Sequence, residues 1–182
     1  MFKSFQNWII TEKKGIEYEY SSILFLFPSK DAQAVLEWSK QHIPDSLLYK
    51  EGDEKGREDE IHVTVLYGLH TNDPDPVREI ASEWSPFSIT LGEISKFESD
   101  NYDVIKVAVS GSELHKANKS LQKLDYTSTF KDYKPHCTLA YVKKGSCDDL
   151  LGDKNFSGRD IAVKSVVFSP AEGERSSISL TE

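Results

Sequence analysis

Two short stretches, IHVTVLYG from Ile61 to Gly68 and HCTLAYV from His136 to Val142, decide how this chain reads. Set one under the other they share a pattern: His, any residue, Thr, an aliphatic residue, an aliphatic residue or Ala, then Tyr. His62 and His136 lie 74 positions apart. The β-branched and aromatic content of both marks them as strands. Side chains alternate along a strand, so His62 and Thr64 share one face and Val63, Val65 and Tyr67 the other. By the same rule His136 and Thr138 stand opposite Cys137, Leu139 and Tyr141. Each strand is therefore expected to show an imidazole and a hydroxyl on one side, and an apolar set with a core tyrosine on the other.

Ahead of the first motif, SSILFLF (21–27) is a short apolar run closed by Pro28 and reads as a buried strand. Ala34, Val35, Trp38 and Ile43 recur at helical spacing from Lys30 to His42, until Pro44. YKEGDEKGREDE (49–60) is charged and Gly-broken, the pattern of a solvated connector; a substrate lid is the alternative. After the first motif, Val77, Ile80, Ala81 and Trp84 suggest a short helix. Phe87 to Phe97 and Tyr102 to Val109 form a hairpin across ESDN. Ser110 and Glu113 look like a capping box for a helix to about Leu124. Beyond the second motif, Phe156 to Phe168 and Ser176 to Thr181 read as closing strands around SPAEGE. No Gly-rich phosphate loop interrupts the alternation, so the expected class is α+β, a duplicated two-lobed fold with largely antiparallel sheets flanking a groove and helices outside. Residues 1–182 read as one such domain.

Composition limits the partners. The chain has 182 residues, 38% hydrophobic and 29% charged, with a formal net charge of −8. An acidic surface disfavours a long nucleic acid, whose binding rests on neutralising phosphates, and leaves room for a small phosphate ligand. Lys131, Lys134, Lys143 and Lys144 gather near the second motif, as a solvated face or as part of an anion site. Two cysteines in a chain of this size imply no disulfide framework and a reducing compartment. Cys137 reads as a packed thiol and Cys147 as a loop residue. No run approaches the length of a membrane span, and the opening residues lack a cleavage signal, so a cytoplasmic location is expected. The histidines and cysteines show no metal-ligand spacing, and no metal or other cofactor is expected.

The repeated polar face suits one chemistry. If the halves are related by an approximate two-fold, two imidazoles and two hydroxyls surround one small anion. One histidine removes a proton from water or a ribose 2′-hydroxyl and the other protonates the leaving oxygen, both titrating near neutrality. The threonines donate hydrogen bonds to non-bridging oxygens as charge builds on phosphorus. A single His-Thr pair would be more simply structural; two with the same flanks are not. His42, His70 and His115 lack the pattern and read as surface or interface residues.

These residues resemble the 2H phosphoesterase superfamily, whose members carry two His-x-Thr or His-x-Ser motifs, here HVT at His62 and HCT at His136. The resemblance implies His62 and His136 as the acid-base pair and Thr64 and Thr138 as phosphate ligands. Within the superfamily the chain is most similar to phage anti-CBASS phosphodiesterases. That likeness implies hydrolysis of 3′,5′ bonds in cyclic di- and trinucleotide immune messengers inside an infected bacterium. It further implies aromatic side chains that stack bases and a late acidic residue that holds one, the candidates being Tyr18 or Tyr20, Trp84 or Phe97, and Glu172 or Glu174. Two rivals stay open: an enzyme opening 2′,3′-cyclic phosphates or handling 2′,5′ linkages in RNA, and a catalytically silent nucleotide-binding module. The sequence does not tell which histidine is the base, nor the oligomeric state.

Overall fold

The computed structural model describes residues 20–51, 54–128 and 132–181. Among these described residues, ten strands and three α-helices follow one another. They are β1 (Ser21–Leu26), α1 (Ser29–His42), β2 (Lys50–Glu51), β3 (Glu54–Lys55), β4 (His62–Leu69) and α2 (Asp75–Ala81). Then come β5 (Phe87–Glu98), β6 (Tyr102–Ser110), α3 (Ser112–Leu121), β7 (His136–Lys143), β8 (Asp160–Val163), β9 (Ser165–Ser169) and β10 (Ser176–Ser179). Two four-stranded sheets result, in the orders β10-β9-β1-β4 and β7-β6-β5-β8, with every pairing antiparallel. The expected α+β class with antiparallel sheets is what the chain forms.

Both motif strands end a sheet, and their Cα atoms approach within 8 Å of each other. One face of each sheet joins the helices in a continuous buried cluster that includes Ile23, Phe25, Val35, Trp38, Val63, Leu114, Val107 and Leu139. The opposite faces carry the motif histidines and threonines.

Four differences from the sequence reading have physical causes. Phe156–Phe168 is not one strand. β8 pairs with β5 and β9 with β1, so the chain changes sheets at Lys164, and Phe156 is buried ahead of β8. The capping box does not form, since Ser110 ends β6, its Oγ donates to Thr90 O at 3.3 Å, and Gly111 precedes α3. The charged segment after Tyr49 is more than a connector. It contains the β2–β3 ribbon and covers the outer edge of β7, with Tyr49 N–H donating to Tyr141 O (2.9 Å), Tyr141 N–H to Gly56 O (2.7 Å) and Glu58 N–H to Leu139 O (2.9 Å). Arg57 bolts it to the end of α1 through Ser39 O, Ser39 Oγ, Ile43 O and Asp45.

The fourth difference concerns Tyr67 and Tyr141, expected in the core by simple alternation. Leu24 pairs with Thr64 but Ile23 with Leu66; Lys106 pairs with Thr138 but Ile105 with Ala140. Each motif strand therefore holds one extra residue immediately after its threonine, Val65 or Leu139, and a bulge of one residue reverses the facing of every later side chain in the strand. Tyr67 and Tyr141 return to the face of the histidines, and neither belongs to the main core. Tyr141 instead packs with Tyr102, Val104, Tyr49 and Phe97 in a separate cluster.

Candidate active site

The site is built by two edge strands with the same local geometry. His62 Nδ1–H donates to the carbonyl of Glu60 at 2.7 Å, and His136 Nδ1–H to the carbonyl of Lys134 at 2.8 Å. A carbonyl can only accept, so Nδ1 carries the proton in both rings and Nε2 is the nitrogen that exchanges one. Both side chains are turned by a bond to the residue two positions earlier, which is why each motif needs its histidine at the start of the strand. The backbone of His62 also meets the Cys137 sulfur, and the charge of His62 acts on His136. The structure thus brings His62, Thr64, His136 and Thr138 together.

Burial lowers the proton affinity of both imidazoles. For His62 the carbonyl and carboxylate of Glu60 oppose that effect and the Arg175 guanidinium adds to it. For His136 burial, opposed by the Lys134 carbonyl and reinforced by Lys106 and His62, brings the pKa down to about 4. Thr64 Oγ1 is enclosed and has no hydrogen-bond partner among the described residues. Its carbonyl accepts from Tyr133 Oη at 2.9 Å, and the next carbonyl, Val65 O, from Asn118 Nδ2 at 2.7 Å, so the bulge of β4 is tied down on its outer side. Thr138 is buried.

The remaining candidates separate. Phe97 is at the site: its ring meets His136 edge-on, with centroids 4.8 Å apart and an interplanar angle of 89°. Tyr20 lies at the far end of β4, stacked on His70 at 5.1 Å and edge-on to Tyr67 at 6.1 Å. Tyr18 lies outside the described residues. Trp84 packs half-buried against the main core, the side opposite the motifs. Glu172 and Glu174 are exposed in the turn between β9 and β10, a turn held by Asn72 Oδ1, which accepts from Ala171 N–H (3.0 Å) and Glu172 N–H (3.4 Å). His42, His70 and His115 are exposed, and Cys137 is fully buried with its thiol pKa pushed up by burial, as a packed thiol should be.

Two charged features escaped sequence reasoning. Arg175, in the turn that carries the two glutamates, donates from Nη1 to both carboxylate oxygens of Glu60, at 3.0 and 2.7 Å, and so lies beside His62. Lys106 projects from β6 opposite Thr138, 8% exposed, with Nζ donating to Ser95 Oγ at 2.7 Å and lying 4.2 Å from the Phe97 ring centroid. The signal available was one lysine inside the otherwise apolar run VIKVAV (104–109) of β6, which only the pairing with β7 gives a meaning. The lysines grouped by sequence do not converge. Lys143 donates to Ser46 O and Lys144 to Ser99 O, pinning loops, while Lys134 is exposed and Lys131 lies outside the described residues. Among the described residues, no cluster of three or more His, Cys, Asp or Glu could hold a metal ion, and no helix is long and apolar enough to cross a membrane.

Residues 27–152 match the family model described as the 2′-5′ RNA ligase superfamily. The chain belongs to this superfamily. It is thereby a 2H phosphoesterase, and with both His-x-Thr pairs in place it is an enzyme that cleaves phosphodiesters. Solved structures agree on the fold. TT0787 of Thermus thermophilus is 15% identical, with 88% of this chain and 97% of that one covered and a TM-score of 0.63. E. coli LigT complexed with 3′-AMP is 15% identical, with 88% and 94% covered and a TM-score of 0.56. Kluyveromyces marxianus Usb1 with uridine monophosphate is 12% identical, with 89% and 98% covered and a TM-score of 0.55. No curated protein matches the sequence.

Proposed function

We propose that this 2H phosphoesterase hydrolyses the 3′,5′ bonds of small cyclic di- and trinucleotides without a metal cofactor, as a counter-defence against messenger-based immunity in the host-cell cytoplasm. The observation that carries the hydrolytic part is the pair of Nδ1-anchored imidazoles on facing edge strands. One Nε2 takes a proton from the attacking water, the new phosphorus–oxygen bond forms in line with the old one, and the other Nε2–H protonates the leaving ribose oxygen. Thr64 Oγ1 and Thr138 are the phosphate ligands. A buried hydroxyl without a partner costs about 1–3 kcal/mol, and a phosphate oxygen accepting from Thr64 would remove that cost.

The small cyclic substrate is favoured by three observations. The net charge of −8 suits a compact ligand better than a long strand. Phe97 at one motif and Tyr20 towards the end of the other offer ring faces or edges at two places, matching a ligand with two bases. Solved structures of this fold hold small nucleotides, 3′-AMP, ATP and NADP+ in LigT and uridine monophosphate in Usb1. The family description favours a second reading, opening of 2′,3′-cyclic phosphates or processing of 2′,5′ linkages.

The test is incubation of the protein, with EDTA present, against cyclic dinucleotides, cyclic trinucleotides, a 2′,3′-cyclic mononucleotide and a short 2′,5′-linked RNA, resolving products by mass. Cleavage of the cyclic oligonucleotides, lost in His62→Ala, is the expected result. Reaction of only the last two substrates transfers the function to RNA processing. Binding without any turnover would make the chain a recognition module and end the hydrolytic reading.

A further inference from the structure

Lys106 is an ammonium more than nine-tenths buried, and no carboxylate lies within ion-pair distance of it among the described residues. The nearby Lys96 meets three acids, Glu98 at 2.9 Å, Asp103 at 3.3 Å and Asp148 at 2.7 Å, which shows what a structural lysine in this sheet is given. Among the described residues Lys106 has the hydroxyl of Ser95 and the π-face of Phe97 as its partners. An enclosed cation without a counter-charge is unfavourable unless an anion comes to it. Its register places it next to Thr138, on the face that carries His136.

The charged groups around the two histidines differ. Lys106 from β6 and Lys134 from the approach to β7 are both cationic, and Lys134 acts electrostatically on Lys106. Across the groove, His62 has the Glu60 carboxylate before β4 and the Arg175 guanidinium from the β9–β10 turn, paired with each other. Of that pair, the carboxylate has the larger effect on His62.

The geometry points to Lys106 as a phosphate-binding and positioning residue that breaks the two-fold symmetry of the site. Its ammonium takes a non-bridging oxygen of the scissile phosphate beside Thr138 and keeps His136 neutral, so that His136 is the proton acceptor and His62, next to Glu60, the donor. This assignment rests on the phosphodiester cleavage proposed above. In the step, His136 Nε2 takes a proton of the attacking water, whose oxygen electron pair bonds to phosphorus. The bond to the leaving ribose oxygen breaks with its pair on that oxygen, and His62 Nε2–H supplies the proton. Exchange with solvent restores both rings. Burial is the main cause of the lowered proton affinity of both His136 and Lys106, with the Lys106 charge adding to it at His136 and the Lys134 charge at Lys106.

The experiment compares wild type, Lys106→Met, Lys106→Gln and Lys106→Arg by NMR of isotope-labelled histidine, the two signals being assigned through His62→Ala and His136→Ala, with inorganic phosphate as the anion probe. In the Met and Gln variants the proton affinity of His136 should rise about tenfold or more, equivalent to a pKa displacement of one, while that of His62 changes less. Phosphate binding should weaken about tenfold, and Arg should retain both properties. For any substrate that wild type turns over, the acidic limb of kcat/KM should move to higher pH in the neutral variants, because a base must be deprotonated to act. Unchanged His136 titration with unchanged phosphate affinity overturns the proposal, and so does movement of the alkaline limb in place of the acidic one. A wild-type protein that turns over no substrate defeats the phosphodiesterase reading alone, since the His136 and phosphate measurements still decide the place of Lys106.

Discussion

The two halves of the site share a backbone and differ in their surroundings. Each presents His, Thr and, after a one-residue bulge, Tyr to the groove, and each fixes Nδ1 on the carbonyl two residues back. Around His62 lie a paired carboxylate and guanidinium; around His136 lie Lys106, Lys134 and the edge-on ring of Phe97. Repeating the strand secures where the proton-exchanging nitrogens are. The residues that were not repeated secure which way the proton moves. A duplicated scaffold can thus acquire direction without disturbing either motif, through side chains on neighbouring strands and turns.

Removing either half is the strongest way to break the comparison. His62→Ala and His136→Ala are each expected to lower kcat by about 10²–10⁴-fold, the usual contribution of one positioned acid or base. Circular dichroism should show both variants folded. Combining the two should cost much less than the product of the single losses, because acid and base act in one transition state. Full activity in His136→Ala would sink the two-histidine mechanism.

The threonines give the next effect. Thr64→Ala and Thr138→Ala should each lose about 2–4 kcal/mol of transition-state stabilisation, as for one anion-hole donor. Thr64→Ala should also keep its stability near that of wild type. Thr64 Oγ1 has no partner among the described residues, so its removal leaves no group newly orphaned in that set. Chemical denaturation that finds Thr64→Ala strongly destabilised would contradict this account of its hydroxyl.

How far this site was legible depends on what alternation alone can see. The two strands, their histidines and threonines, the helix from Ser29 and the β5–β6 hairpin are local features, readable from periodicity and turn residues. The facing of Tyr67 and Tyr141 was not, because a bulge depends on the register of the partner strand, β1 for one and β6 for the other. Lys106 and Arg175 were missed for a related reason. Each gains its role across 32 and 115 residues of sequence, from Thr138 and Glu60 respectively. The division of Phe156–Phe168 between two sheets is likewise set by long-range pairing with β5 and β1. Spacing within a segment carries no information about those partners.

Acid titration sharpens the comparison further. The folded-state pKa of His136, about 4, lies below its ordinary 6.5, so the folded protein prefers the neutral ring. The resulting stability is fully present above pH 6.5, declines as pH falls towards 4 and is flat below that. The loss is at most on the order of 3 kcal/mol. Urea unfolding at a series of pH values should show the decline in wild type and a shallower one in His136→Gln. Lys106→Met should also flatten it, since removing the cation lets the folded ring protonate more readily. An unchanged slope in His136→Gln would assign the acid sensitivity to other groups.

The smallest expected effect separates the two aromatic ends. Phe97 touches a motif histidine and the Lys106 ammonium, whereas Tyr20 stacks on His70, whose Nε2 is hydrogen-bonded with Thr127 Oγ1 at 2.8 Å. A base resting on either ring contributes about 1–3 kcal/mol, so Phe97→Leu and Tyr20→Leu should each weaken binding of a cyclic dinucleotide within that range. Only Phe97→Leu should also lower kcat, because its ring packs perpendicular to His136 and its face supports the buried cation. Tyr20→Leu should raise KM and leave kcat near wild type, the signature of binding that is equal in ground and transition states. Equal losses of kcat in both variants would mean that the ends of the groove do not divide the work in this way. The asymmetry would then be confined to charge.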